Sequence, residues 1–374
     1  MSNALPLSSS PELEQYDRFA KDLQRAGGES ALIHTCVTRW VKAAKVPAKQ
    51  REAEVGRIEG NWGRLGAAGK LTEARRFVAH EHGFQSWLKF AGHLRALAME
   101  ESPVASFEAA ADAIVRGDAA MLKRILARHP KLVRVRSNRE HRSTLLHYVS
   151  ANGIEDYRQK TPRKMVSVAR LLLDSGSDVN AESDAYGGGS TALNLTATSC
   201  HPETAGVQIE LLELLLDRGA EIQRGDVRSC LANGRGTAAR FLAEHGVPLS
   251  YEEAAGVGRL DLLKTFTETG GDQQTRALDF ACQFGHIDVI EFLLDQGAKS
   301  DMALHWAAWG PHVELVRLLL DRGAPLDVRD PEHDGTPLDW ALYGQRCQPA
   351  KPYGDVIALL SERASRRPKR KAKR

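Results

Sequence analysis

The chain has 374 residues, 42% of them hydrophobic and 26% charged, which is typical of a soluble protein with ample material for a core. The formal net charge is +3, yet residues 363–374 hold eight basic residues and no acidic one. Without that tail, 43 Lys and Arg face 48 Asp and Glu, so the body has a net charge of −5 and only the tail is basic.

Hydropathy and cysteine usage exclude several classes of protein. No apolar run approaches 18 residues, and no basic stretch followed by an apolar one opens the chain, so we predict neither a membrane span nor a signal peptide. The five cysteines are widely separated and form no CxxC motif, which favours neither a disulfide framework nor a zinc site. A reducing cytoplasm fits this usage.

Residues 1–100 contain helical patterns without a repeat. Apolar spacing predicts a helix over 11–26, ended by a glycine pair, and a second over 30–45. Residues 51–70 are interrupted by glycines and have no clear assignment. Two further helices are predicted over 71–79 and 86–99, and the second of them is capped by its first residue, a serine. We expect a helical module here, distinct from the remainder of the chain.

The clearest pattern lies in residues 276–326, where one helix pair occurs twice. Residues 278–298 and 304–324 agree in their apolar positions, their Gly/His turn, their leucine-rich second helix and their closing Gly-Ala. Residues 336–341 restart the pattern with Thr-Pro-Leu-Asp-Trp-Ala. Because a pair of this kind cannot bury its apolar faces alone, several must stack.

This pattern resembles the ankyrin repeat, whose signature is a Thr-Pro-Leu-His opening and a helix pair that ends in a leucine run before Gly-Ala. The resemblance implies an all-α ankyrin-repeat solenoid of about eight helix pairs over 101–362. Residues 74–94 are similar to a short helical module that precedes ankyrin repeats in many bacterial proteins, and 1–100 should cap the first repeat. The basic tail, 363–374, should follow the last helix as a disordered segment.

The spacing of the closing glycines predicts an irregular array. From Gly219 to Gly323 they recur at 27, 24, 27 and 26 residues, which leaves no room for the hairpin finger of a 33-residue unit. We therefore expect fingers only before the second, third and eighth pairs. Residues 152–164 and 200–207 are expanded loops, and we expect them to add binding specificity.

No catalytic or metal-binding motif emerges from the sequence. The glycines of 187–189 could cradle a phosphate but lack a following lysine, so a finger tip is favoured. His147 and His305 occupy the family's Thr-Pro-Leu-His position, and the resemblance implies that they tie backbone between neighbouring repeats. We predict a non-enzymatic protein with no cofactor and no metal; a polar pocket between the N-terminal module and the first pair would favour catalysis instead.

Aromatic residues mark a candidate binding surface. We count along each repeat from the position of the threonine in the Thr-Pro-Leu-His signature. The fifth residue should face the stacked core, and in five repeats it is Tyr148, Leu195, Phe280, Trp306 or Trp340. The resemblance implies that the residues three and four places later face the concave groove. They are Ala151-Asn152, Thr198-Ser199, Ala232-Asn233, Gly256-Val257, Gln283-Phe284, Trp309-Gly310 and Tyr343-Gly344. Phe284, Trp309 and Tyr343 are then partner-binding candidates, unless the missing fingers or the loop near Pro349 cover them.

These observations favour a monomeric, cytoplasmic, non-catalytic scaffold that binds another protein on the concave face of the array. The alternative is a nucleic-acid-associated protein that uses its basic tail as an electrostatic anchor. An anionic membrane surface, a nuclear localisation signal and a tail without a specific partner also remain open. The residues concerned are Arg366, Arg367, Lys369, Arg370 and Lys371.

Overall fold

The computed structural model describes residues 4–8, 11–65, 69–267 and 269–365, and these ranges form two compact units, Met1–Glu221 and Ile222–Arg374. In them the chain folds into 21 α-helices and one two-stranded antiparallel hairpin. None of the helices in the described ranges is long and apolar enough to cross a membrane.

The first unit contains eleven of these helices and both strands. Its helices are α1 Leu13–Ala26, α2 Ser30–Ala43, α3 Arg51–Arg64, α4 Leu71–Glu81, α5 Trp87–Leu97, α6 Pro103–Arg116, α7 Ala119–Arg128, α8 Met165–Asp174, α9 Ala192–Thr198, α10 Cys200–Thr204 and α11 Gln208–Asp217. The strands are β1 Glu182–Ser183 and β2 Ser190–Thr191. Short 3₁₀-helices include Pro130–Arg134 and Leu145–Ser150.

The second unit consists of five helix pairs. They are α12 Asp226–Ala232 with α13 Gly236–Glu244, α14 Tyr251–Gly256 with α15 Leu260–Leu263, α16 Gly271–Phe284 with α17 Ile287–Asp295, α18 Ala303–Trp309 with α19 Val313–Asp321, and α20 Pro337–Cys347 with α21 Gly354–Ser365. The first helices contact each other in succession, from α12 to α20, and one apolar core extends from Tyr251 to Leu360.

The N-terminal module is built from α1 to α5. The predicted helices over 11–26, 30–45, 71–79 and 86–99 are all present, and the hydroxyl of Ser86 accepts the backbone N–H of Lys89. Residues 51–64, for which the sequence favours no assignment, form α3. Its glycines all lie on an open face, with nothing within 4 Å of an added Cβ, whereas Val55, Ile58 and Trp62 are buried on the other face. This segment is therefore an amphipathic helix, and its glycines made the helical pattern difficult to detect in the sequence.

This module packs on the first helix pair. Helix α5 contacts α6, and two hydrogen bonds join the module to the segment that precedes the second pair. The guanidinium of Arg139 donates to the carbonyl of His82 over 3.0 Å, and the N–H of Glu140 donates to the carbonyl of Gly83 over 2.9 Å. The boundary predicted near residue 100 thus lies inside one compact unit.

Fingers occur before the second and third pairs, as predicted. An isolated bridge joins Arg136 to Thr144, and β1 pairs with β2 in the register Glu182 to Thr191. Gly187, Gly188 and Gly189, all with positive φ, form the tip between the two strands, which confirms the finger interpretation. The first helix of the second pair is the short 3₁₀-helix Leu145–Ser150.

Between Ile222 and Ser365 the described residues contain no strand, which agrees with the tight turns predicted up to Gly323. The finger expected before the eighth pair is a loop without strands, in which the N–H of Asp330 donates to the carbonyl of Gly335 over 2.9 Å and the N–H of Asp334 donates to the carbonyl of Asp330 over 3.1 Å.

The start of the predicted disordered tail was placed too early. Residues 363–365 belong to α21, and Arg363 forms a 2.9 Å ion pair with Asp321. The anchor residues proposed from the sequence, Arg366, Arg367, Lys369, Arg370 and Lys371, lie outside the described residues.

Candidate partner-binding groove

Histidine side chains set the register between neighbouring helix pairs. The Nε2 atom of His147 donates to the carbonyl of Ser190 over 3.1 Å, and that of His305 donates to the carbonyl of Gly335 over 3.1 Å. His286 and His312 make equivalent bonds to the carbonyls of Gly256, at 3.0 Å, and Gln283, at 3.1 Å. Desolvation lowers the pKa of each of these imidazoles. The rings are structural, as expected for His147 and His305.

The second unit contains a groove of about 670 Å³ that crosses the C-terminal ends of α12, α16 and α18 and the length of α20. Its floor and walls come from Ala232, Asn233, Gly234, Gln283, Trp306, Trp309, Glu332, His333, Gly335, Asp339, Trp340, Tyr343 and Arg346. Three of the six tryptophans of the chain therefore line one cavity.

The aromatic rings of the groove contact one another. Trp306 and Trp340 are perpendicular, with ring centroids 5.1 Å apart. Trp309 lies edge-on to Trp340 at 6.3 Å and is stacked on Tyr343, also at 6.3 Å, with ring planes 21° apart. The two indoles of Trp306 and Trp309 are half-buried, and Tyr343 is 55% exposed. Contacts of this kind hold the rings in fixed positions while part of each remains open.

A buried carboxylate organises the loop at one end of the groove. Asp330 accepts hydrogen bonds from the indole Nε1 of Trp340 at 2.9 Å and from the backbone N–H groups of Glu332, His333 and Gly335 at 3.0, 2.7 and 2.8 Å. Desolvation raises the pKa of Asp330, but these four donors outweigh it and hold the pKa well below its ordinary value. The carboxylate stays ionised and fixes the orientation of Trp340.

The loop after α20 supports the groove from behind. The hydroxyl of Tyr353 donates to the carbonyl of Trp309 over 2.8 Å, and its ring is buried beneath Gly344. Pro349 in the same loop is exposed and does not line the groove. The loop near Pro349 therefore does not hide Trp309 or Tyr343, which was the alternative to a binding role for these rings.

Five of the residues predicted to face the groove do so: Ala232, Asn233, Gln283, Trp309 and Tyr343. Phe284 is placed elsewhere. An added Cβ on Gly236 would lie 2.6 Å from Cδ1 of Phe284, so this ring packs on the start of α13. Successive helical side chains differ in direction by about 100°, and here Gln283 faces the groove while Phe284 is turned away from it.

Trp306 and Trp340 were expected to face the stacked core, and the structure shows them on the groove wall. Tyr148 and Leu195, at the same repeat position, are buried as predicted. The signal that could have separated the two groups is size. An indole is rarely buried completely, so a ring of this size at this repeat position is more easily left partly uncovered than a leucine or a tyrosine.

The expanded loop 152–164 is partly structural, although it was expected to provide binding specificity. Glu155 and Arg158 are buried, where they form an ion network with Glu108 and Arg139. Arg158 lies 2.7 Å from Glu108 and 3.3 Å from Glu155, and Arg139 lies 3.1 Å from Glu108 and contacts Glu155 directly. This loop therefore holds the first and second pairs together.

A small cavity of about 130 Å³ lies between α5 and α6, at the place where a polar pocket would favour catalysis. It is lined by His93 and Glu108, whose nearest polar atoms are 3.7 Å apart. Desolvation lowers the pKa of His93 to about 4. Desolvation raises the pKa of Glu108, but two arginines more than compensate and lower it to about 2. The carboxylate of Glu108 is therefore ionised and its charge is compensated by the two arginines, which makes it a weak base.

Two family descriptions match the second unit: "Ankyrin repeats (many copies)" over residues 304–351 and "Ankyrin repeat" over residues 276–302. The matched residues 276–302 and 304–351 are ankyrin repeats, and the described residues have an all-α fold of helix pairs. In general terms these repeats support a protein–protein interaction scaffold, and neither matched family is an enzyme family.

Among solved structures, the ankyrin repeat domain of human ASB11 is 23% identical, with a TM-score of 0.36, and the match covers 68% of this chain and 96% of that one. The ankyrin repeat domain of Bcl-3, a member of the IkappaB family, is 20% identical, with a TM-score of 0.31 and coverage of 68% and 97%. No curated protein matches the chain.

Proposed function

We propose that the chain is a non-catalytic scaffold that binds a protein partner in the aromatic groove of its second unit. Trp309 and Tyr343 would be the anchors, and Trp306 and Trp340 would complete the binding surface. The chain would act as a monomer in the cytoplasm. The observation that carries this proposal is the stacked pair of Trp309 and Tyr343, held open to solvent at the edge of a cavity of about 670 Å³.

The energetics of interfaces support this choice. Aromatic anchors in preformed pockets contribute most of the binding energy in many complexes. Here the rings are held by mutual contacts and by the hydrogen bonds of Asp330 and Tyr353, so they lose little conformational entropy when a partner binds. Phe284 is left out of the proposed site because its ring packs on Gly236.

The experiment compares affinity capture from native lysate by the intact chain with capture by a Trp309→Ala/Tyr343→Ala double variant. The matched control is Tyr186→Ala, which removes a similarly exposed aromatic, 60% accessible, from the first unit. We expect the double variant to lose its partner and the control to retain it, with at least a tenfold difference in affinity, as for two hot-spot residues. Equal capture by all three proteins would disprove the proposal.

Contact with nucleic acid through the tail is a second candidate, and the observation that favours it is the eight basic residues of 363–374. Binding to phosphates would fall steeply with salt concentration, and it should disappear when Arg366, Arg367, Lys369, Arg370 and Lys371 are replaced by glutamine. If binding to a duplex oligonucleotide survives those substitutions, the tail is not the anchor.

A further inference from the structure

The walls of the groove are suited to a cation. Trp306 and Trp340 line it with ring planes at 90°, so two π systems border the same space from different directions. The face of an indole carries the negative part of its quadrupole and attracts ammonium and guanidinium groups more strongly than other aromatic side chains do. An uncharged apolar group would gain only from burial in the same place.

The charged residues that line the groove also favour a cation. Glu332 and Asp339 contribute two exposed carboxylates, against one guanidinium from Arg346. Asp339 also closes the capping box of α20, where it accepts from the backbone N–H of Thr336 at 2.9 Å. The side chain of Glu332 has no such structural role among its described contacts, and Glu332 lines the same groove as the tryptophans.

The groove already holds one cation of its own chain. The guanidinium carbon Cζ of Arg346 lies 5.6 Å from the centroid of the Tyr343 ring, within the distance of a cation–π contact. Both side chains are exposed. Arg346 therefore shows, within this structure, the type of contact that an incoming guanidinium could make with the indoles of Trp306 and Trp340.

We propose that the groove recognises a basic segment of the partner protein and binds one of its arginine side chains. The guanidinium would lie against the indoles of Trp306 and Trp340 and pair with the carboxylate of Glu332. This inference rests on the proposed function, because it specifies the chemistry of the partner at the same groove. It predicts selectivity for charge as well as for shape.

The test uses the full chain and two short fluorescein-labelled peptides. One alternates glycine with arginine, and in the other citrulline replaces every arginine, which keeps the shape of the side chain and removes its charge. Fluorescence anisotropy at low ionic strength should show that the arginine peptide binds about three- to thirtyfold more tightly, the range expected for a cation–π contact between exposed and desolvated limits. Equal affinities for the two peptides would overturn the inference.

Three variants locate the contact. Trp306→Leu keeps an apolar side chain without a π face, and Glu332→Gln removes an exposed charge without loss of volume. Each should weaken binding of the arginine peptide several-fold and leave the citrulline peptide unchanged. Arg346→Gln removes the resident cation and should maintain or strengthen binding. If Arg346→Gln instead weakens binding, Arg346 assists the peptide and does not compete with it for the site, and the inference is wrong.

The outcomes separate this inference from the proposed function. If the natural partner is captured through Trp309 and Tyr343 but the two peptides bind equally, the groove binds a protein without selecting a cation. If the arginine peptide is preferred but capture of the partner does not depend on Trp309 and Tyr343, the cation site exists and the partner binds elsewhere.

Discussion

The indole Nε1 of Trp340 donates a 2.9 Å hydrogen bond to Oδ2 of Asp330, a carboxylate that is only 3% exposed and lies ten residues earlier in the chain. The same carboxylate receives three backbone N–H groups of the loop that precedes α20. One aspartate therefore sets both the path of the loop and the position of a groove tryptophan.

We expect Asp330→Asn to loosen this end of the groove. The asparagine nitrogen cannot accept a hydrogen bond, so at least one N–H of the loop or the indole loses its acceptor. Hydrogen exchange at His333 and Gly335 should accelerate, and the melting temperature should fall. Asp334→Asn is the control, because that side chain is exposed in the same loop. If both variants exchange equally, Asp330 does not organise the loop.

The buried ion network of the first unit gives a second prediction. Arg158 has two buried partners, Glu108 at 2.7 Å and Glu155 at 3.3 Å, and one more exposed partner, Asp112, at 2.7 Å. Glu155→Gln leaves Arg139 and Arg158 with incomplete charge compensation, and we expect it to lower the free energy of unfolding by about 3–5 kcal/mol. Asp112→Asn should cost less than about 1 kcal/mol. Denaturant unfolding monitored by circular dichroism measures both values, and equal costs would refute this account.

Buried histidines make the stability of the first unit depend on pH. Desolvation lowers the pKa of His82 to about 3 and those of His93 and His147 to about 4, from an ordinary value of 6.5. The unfolded chain binds these protons at a higher pH than the folded chain. The contribution of the three neutral imidazoles to the free energy of unfolding is therefore fully present above pH 6.5 and falls as the pH decreases towards 4. Between pH 7 and 5, the preference of these three histidines for protonation in the unfolded chain should lower the free energy of unfolding by on the order of 5 kcal/mol.

Denaturant midpoints at the two pH values measure this loss. The carboxylate of Glu108, with its pKa lowered to about 2, adds a further loss only below its unfolded pKa of about 4.5. A His147→Gln variant removes one of the three imidazoles, so its stability should vary less with pH than that of the intact chain. An identical pH dependence would show that His147 does not contribute.

Gly344→Ala should destabilise the second unit, although a Gly→Ala change within an open helix normally stabilises it by about 0.5–1 kcal/mol. The new Cβ would lie 2.6 Å from both Cε1 and the hydroxyl oxygen of Tyr353, which is buried and holds the carbonyl of Trp309. Overpacking of this kind costs about 1–3 kcal/mol. The control, Gly354→Ala, meets nothing within 4 Å, and a melting temperature unchanged in both variants would contradict the prediction.

Local patterns in the sequence were sufficient to predict most helices and the fingers before the second and third pairs. Apolar spacing located α1, α2, α4 and α5, and the interval between closing glycines predicted the absence of strands from residue 222 to Gly323. Both depend on neighbours along the chain, because a helix buries one face at a fixed period and a finger requires a minimum number of residues. Helix α3 was not predicted from the sequence, because its glycines mask the same periodicity.

The sequence by itself determined that this is an array of helix pairs, since the helical period is a local property, and the family resemblance placed Trp309 and Tyr343 on the exposed side of it. Only the tertiary structure decided that Phe284 turns onto Gly236, that Trp306 and Trp340 join the groove, and that Glu155 and Arg158 leave a surface loop for the interior. These outcomes depend on which side chains from distant parts of the chain compete for the same space and charge. The spacing of residues within one segment cannot predict the outcome of that competition.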